Sequence, residues 1–378
     1  MAIPEQSTPR FAILGAGNGG RAMAGHLRLL GFDVVLFNRD DPLEIEQYLD
    51  PISRFGGIRL TGALEGEVAG VRVTTDVGEA VKDADVVFMV TPALAHATLA
   101  RQMAPWTKPD QIIVLTPGRT FGAYEVHALM GAHGGSPDLT VAETYSLPYA
   151  CRLTEGHGVF ISRIKSWLPI ATLPATRIDA VTAILQPAFA SLVPLPSTLH
   201  TGLLNIGAIF HPAGTLLNAA RIERLGGGYP FYTEAITPSV GRVLERADAE
   251  RVAIGAALGL ATDTALQITL NAYGVRADSL TEALRTNPAY VLGNTPGDLA
   301  HRYVQEDVPM GLVPLASLGR QVGASTPTLE SLVHLASVMT GQDFWTSRRT
   351  MQRLGLSDLG PAELLEAFIH GEARSGSA

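Results

Sequence analysis

Short, unbroken apolar runs alternate with helical periodicity over the first half of the chain. Over the second half only the helical periodicity persists. Phe11 to Gly15 is an apolar run closed by glycine, and from Gly19 to Leu30 apolar residues recur at helical spacing until Gly31. Val34 to Phe37 is a second buried-type strand, so the chain opens as strand, glycine turn, helix, strand. Asp41 is placed to cap a helix running to Tyr48. Ile58–Leu60 and Val71–Thr74 read as a small antiparallel excursion. A short helix ends over Val81–Ala84, Val86–Val90 is a third strand, Pro92 opens a helix to Met103, and Ile112–Leu115 is a fourth strand. Leu139–Ala142 and Val159–Ile164 are further strand candidates. Strands alternating with helices predict a parallel, doubly wound sheet.

The texture changes near Pro194 and Pro196. Strand-like runs cease, and helical patterns follow at 197–210, 238–260, 261–273, 327–340 and 361–369. Thr237-Pro238 and Thr326-Pro327 each place a cap residue before a proline at the first helical position. The expected fold class is α/β plus all-α. A dinucleotide-binding Rossmann domain with a doubly wound parallel sheet takes residues 1–192, and a helical substrate domain takes 193–378. The small, polar tail from Gly371 to Ala378 is expected to fray.

Bulk properties narrow the class. Of 378 residues, 46% are hydrophobic and 17% charged, which suits two folded domains. The net charge of -8, without a long basic run, argues against nucleic acid as partner. There is no apolar leader core before Phe11 and no uninterrupted apolar stretch of spanning length, so no membrane is expected either. Cys151 is the one cysteine, which excludes an internal disulfide and fits a reducing cytoplasm. No metal site is expected. Lys82, Lys108 and Lys165 are the three lysines, so lysine chemistry is excluded from the second half.

Gly15-Ala16-Gly17-Asn18-Gly19-Gly20 fits G-x-G-x-x-G between a strand and a helix. Gly15 permits the tight turn, Gly17 the approach of a pyrophosphate, and Gly20 close packing of helix on strand. The second strand ends Leu36-Phe37-Asn38-Arg39, with a neutral residue where an acid would select NAD. Asn38 and Arg39 therefore favour NADP, Arg39 pairing with a 2′-phosphate. A register shift of two would restore an acid at Asp40 or Asp41, so NAD stays the alternative. Thr91 and Pro92 fall where such a domain borders the nicotinamide ribose.

Candidate acids and bases in the second half are the histidines 200, 211, 301, 334 and 370, with carboxylates and tyrosines. His211 follows an apolar helical run and precedes Pro212. It is expected at a helix C-terminus near the domain cleft, where the dipole favours the imidazolium. His301 to Pro309 carries Arg302, suited to gripping a carboxylate, and Asp307, suited to orienting an imidazole.

The chain resembles the opine dehydrogenases, the octopine and nopaline dehydrogenase family. The resemblance rests on the glycine turn, on Glu143-Thr144 with Leu147 to Arg152, on Asn205 through His211-Pro212, on Asp248 to Arg251, and on Arg302-Tyr303 with Glu306 to Pro309. It implies reductive condensation of an amino acid with a 2-oxo acid, through an imine, at the expense of NADPH or NADH. By position it implies His211 and Asp307 as the acid–base dyad and Arg302 as the grip on the amino-acid carboxylate. Asn205, Tyr145 and Cys151 join Arg302 as candidate substrate contacts, and a homodimer is the assembly considered. Gly226 to Tyr232 matches no known amino-acid specificity. The competing readings are a 3-hydroxyacid or ketopantoate-type reductase, whose junction lysine is missing here, and a non-catalytic dinucleotide sensor.

Overall fold

The computed structural model describes residues 8–290, 295–346 and 349–371. The chain divides into two compact units. The first contains residues up to Gly118 and Val126–Pro194, and the second contains Arg119–Glu125 and the chain from Leu195 onward. The tail expected to fray lies, after Gly371, outside the described residues.

The first unit is built on an eight-stranded sheet. Its spatial order is Leu192–Pro194, Leu168–Leu173, Thr140–Thr144, Ile112–Leu115, Val86–Met89, Arg10–Leu14, Asp33–Phe37 and Arg72–Thr74. Neighbours are parallel except Leu168–Leu173, which runs antiparallel to Thr140–Thr144. The central strands are buried along nearly their whole length, as a sheet covered on both faces requires. Arg72–Thr74 was expected to pair with Ile58–Leu60. Instead it extends the main sheet in parallel with Asp33–Phe37. Gly57–Gly62 pairs with Gly66–Ala69 and belongs, with Tyr149–Leu153 and Gly158–Ile164, to a separate four-stranded sheet. Arg21, fully buried on the first helix, Asn18–Leu29, donates to the carbonyls of Gly156 and Tyr48 and ties that helix to this insertion. Leu168–Leu173 carries Pro169, a residue that argues against an interior strand, and the periodicity does not reveal it.

The second unit is helical. The run 197–210 was expected as one helix and is two, Thr198–Leu203 and Gly207–Leu216. The break has a cause. Arg251 takes the Leu203 carbonyl, and the Asn205 side chain turns to Thr120. Helices follow at Pro238–Ala257, Ala265–Tyr273, Val313–Val322, Pro327–Thr340 and Pro361–His370. Thr237 caps its helix through Val240 N. Thr326 does not, and bonds Glu330 instead. The open N–H groups of Thr328 and Leu329 are satisfied by the buried carboxylate of Glu250, about two turns from the end of Pro238–Ala257. Asp248 in turn accepts from Arg251 and from Ala265 N. The Asp248 to Arg251 motif therefore holds helix ends together.

Residues 119–125 were expected within the first domain and pack with the helices. Phe121 is fully buried against Phe368, at 5.0 Å between ring centroids, and Thr120 N bonds the Met310 carbonyl. Arg349, fully buried, donates to Glu125 and to the Thr120 carbonyl. No described helix is long and apolar enough to cross a membrane.

Candidate active site

In the first unit the glycine turn is an open cradle. Gly15 has a φ of 108°, and a Cβ there would meet the Val90 carbonyl oxygen at 2.5 Å. A Cβ on Gly20 would sit 1.6 Å from the Gly15 oxygen. At Gly17 a Cβ would meet nothing within 4 Å. Gly17 thus leaves empty space in front of the backbone, as the approach of a pyrophosphate would require. The helix that starts at Asn18 has no side-chain cap, so its first N–H groups face that space. The hydroxyl of Thr91 is shielded from solvent and has no hydrogen-bond partner among the described residues, which suits a loop completed by a ligand. These features fit a dinucleotide.

Asn38 and Arg39 end the second strand as expected, and both meet an acid that the sequence pattern did not single out. Asn38 Nδ2 donates to Glu44 at 2.8 Å, and Arg39 Nη2 donates to the other oxygen of Glu44 at 2.8 Å. Asp41 caps the turn that carries Glu44, accepting from Leu43 N and Glu44 N. The thiol of Cys151 is buried, pushed up to about 11 by that burial, and donates to the Asn18 carbonyl in the glycine turn. Tyr145 is also in the first unit, half-buried against Trp167.

In the second unit four stretches of chain meet at His211. Its Nδ1 lies 2.8 Å from Asp307 Oδ2, and its Nε2 lies 3.0 Å from the hydroxyl of Tyr232. Tyr303 stacks on the imidazole at 3.9 Å, nearly parallel. Arg119 reaches both carboxylates, at 3.2 Å to Asp307 Oδ1 and 3.3 Å to Glu306 Oε1. Arg302 pairs with the other oxygen of Glu306 at 3.1 Å and is half-exposed. Asn205 is buried nearby and donates to Thr120. A Cβ on Gly207 would stand within 3.5 Å of Arg119, His211 and Asn205, so glycine there keeps the cluster uncrowded.

The expectation that His211 ends a helix is corrected. It lies within Gly207–Leu216, with Pro212 inside the helix, so the ring faces Asp307 and not a helix C-terminus. Burial raises the Asp307 carboxyl, but Arg119 and then His211 outweigh it and hold it at about 2. Arg119 is itself lowered by burial and raised more by Asp307 and Glu306, so it stays charged. With Asp307 ionised, Nδ1 carries the shared proton and Nε2 is left for proton exchange, an assignment made from the hydrogen bonds. Tyr232 is buried, which lifts its phenol well above the ordinary range, and it faces Nε2 as O–H.

Arg119 and Tyr232 are the residues sequence reasoning missed. Arg119 sits at a φ of 62°, a left-handed conformation that costs a non-glycine residue roughly 1–2 kcal/mol. Its two ion pairs offset that strain. Tyr232 closes the Gly226 to Tyr232 segment, whose run of three glycines was the one available signal.

Residues 194–340 match the family described as NAD/NADP octopine/nopaline dehydrogenase, alpha-helical domain. Residues 10–116 match NADP oxidoreductase, coenzyme F420-dependent. An opine dehydrogenase of Arthrobacter sp. (strain 1C) is 38% identical over 358 residues, covering 94% of this chain and 98% of the relative. The chain belongs to the opine dehydrogenase family. It is an NAD(P)-dependent dehydrogenase acting on CH–NH bonds. A solved octopine dehydrogenase in complex with NADH and agmatine shares the fold, with a TM-score of 0.81 at 21% identity, over 98% of this family member and 100% of that chain. A yersinopine dehydrogenase with NADP+ bound does so with a TM-score of 0.69 at 18% identity, over 97% and 99%.

Proposed function

We propose that His211 and Asp307 are the acid–base dyad of an imine-forming reduction, in which an amino acid condenses with a 2-oxo acid to give a secondary amine. The observation that carries this reading is the 2.8 Å bond from His211 Nδ1 to a buried Asp307 whose second oxygen faces Arg119. The amine nitrogen attacks the carbonyl carbon, and the carbonyl oxygen takes a proton from His211 Nε2. The amine nitrogen then gives up a proton, which returns the imidazole to its charged form. A second transfer lets the hydroxyl leave as water while the nitrogen lone pair forms the C=N bond. Bound NADPH or NADH supplies the hydride that the imine carbon accepts. Residues 15–20 hold its pyrophosphate, Asn38 and Arg39 its adenosine ribose, and Thr91 with Pro92 its nicotinamide ribose.

Asp307 fixes the tautomer and balances the imidazolium. Arg302 grips the amino-acid carboxylate, and it is placed to do so because Glu306 holds only one edge of its guanidinium. Tyr145 and Asn205 remain further substrate contacts in this reading. A cytoplasmic location and a homodimer complete it.

The deciding experiment is a screen of NADPH and NADH oxidation with pyruvate, glyoxylate and 2-oxoglutarate against a panel of amino acids. Turnover is expected only when both partners are present. Oxidation at full rate with an oxo acid alone would replace imine reduction by keto-acid reduction.

A further inference from the structure

Where a glycine turn follows the first strand of a parallel sheet, the adenosine ribose falls at the carboxyl end of the second strand. An acid at that end binds the ribose 2′-hydroxyl and repels a 2′-phosphate. Here the strand ends in Asn38, which leaves the position neutral. The structure supplies a carboxylate from elsewhere. Asp41 caps a turn begun by Pro42, and this fixes the backbone of Glu44. The Glu44 side chain then returns to the strand end and accepts from Asn38 Nδ2. The oxygen of the same Asn38 amide accepts from Ala16 N at 3.5 Å, within the glycine turn. An unbroken chain of polar contacts therefore runs from the turn through Asn38 to Glu44 and out to Arg39.

Arg39 is the cation suited to a 2′-phosphate, and its side chain is 68% exposed. It is already engaged, at 2.8 Å by Glu44 and at 4.0 Å by Asp41. A 2′-phosphate can recruit Arg39 only by drawing it from Glu44, and it would then lie beside that carboxylate. A 2′-hydroxyl meets no such conflict, because it donates to a carboxylate. We propose that Glu44 is the specificity-determining residue for the dinucleotide, acting against Arg39. Glu44 favours the free ribose and Arg39 favours the phosphorylated one. The proposal rests on the reading of residues 15–20 and 38–39 as the dinucleotide site.

The test is calorimetric titration of the full chain with NADPH and with NADH, with no substrate present. Glu44→Gln is expected to tighten NADPH on the order of tenfold, as removal of one like charge beside a phosphate should, and to leave NADH unchanged or weaker. Arg39→Ala is expected to move the ratio of the two affinities in the opposite direction. Glu44→Asp, which keeps the charge, should hold the ratio nearer wild type than Glu44→Gln does, whereas a role confined to packing predicts the reverse order, because Gln keeps the size of the side chain. Glu44→Ala serves in place of Glu44→Gln if that variant does not melt cooperatively. A ratio within twofold of wild type in Glu44→Gln overturns the assignment of Glu44. Binding of neither dinucleotide to wild type overturns the cofactor site itself, and the two failures are separable.

Discussion

At residues 15–20 the first unit presents open backbone, and around His211 the second unit presents side chains. The turn works by what is missing: no Cβ at Gly17, no side-chain cap on the helix behind it. The cluster works by what is matched: two carboxylates, two guanidiniums, an imidazole and a phenol, most of them buried. A backbone cradle is indifferent to pH and depends on local geometry. Such a cluster is sensitive to the loss of any buried member, because each remaining buried charge was desolvated against its partner.

The largest effect that would sharpen this contrast is expected at Arg119. Arg119→Leu leaves Glu306 and Asp307 facing each other without their shared cation. We expect a loss of about 3–5 kcal/mol in unfolding free energy, the scale for breaking a buried ion pair, read from urea denaturation. A variant as stable as wild type would mean that the cluster is not held by charge.

Two substitutions of about equal size then separate the regions by parameter. Gly17→Val places a side chain in open space, so the fold should survive. Dinucleotide binding should weaken on the order of a hundredfold, or ~2.7 kcal/mol. His211→Ala should leave dinucleotide binding intact and lower kcat by about a hundredfold or more. Near-normal turnover in His211→Ala would remove the dyad.

Asp307→Asn tests the electrostatics with two readouts. Turnover should fall, because the carboxylate that orients the imidazole is gone. Losses at Asp307 and His211 should combine far below additivity. Stability should respond as well. The folded carboxyl, at about 2, lies below its ordinary value of 3.8. The contribution of Asp307 is therefore complete above about pH 4 and is lost as pH falls toward 2. Asp307→Asn should flatten that part of the acid denaturation curve. A curve that falls as steeply as wild type would assign acid sensitivity to other groups.

The smallest effect is expected at Arg302. Its side chain is 53% exposed and paired at one edge, so Arg302→Ala should cost little stability. The Michaelis constant for the amino acid should rise about tenfold or more, with a smaller change in kcat, as loss of uniform binding requires. If kcat falls and the Michaelis constant does not, Arg302 belongs with the chemistry.

The sequence by itself determined the alternation of strands and helices, the change to helices after Pro196, the glycine turn, and the pairing of His211 with Asp307 through a family resemblance. The turn is legible because it is contiguous: six residues dictate their own backbone and the helix start behind it. The helices at 238–257 and 327–340 are legible because one apolar face repeats locally. Only the tertiary structure decided what each charge meets. Arg119 and Glu306 are 187 positions apart, and no periodicity links them. The same holds for Glu250 capping a helix 78 positions on, and for the Cys151 thiol bonding the glycine turn. Even Glu44, six residues after Asn38, is hidden from the pattern, because a capped turn has to fold it back. Backbone preferences are written in neighbours, whereas the electrostatic partner of a buried side chain is chosen by packing between segments far apart in the chain.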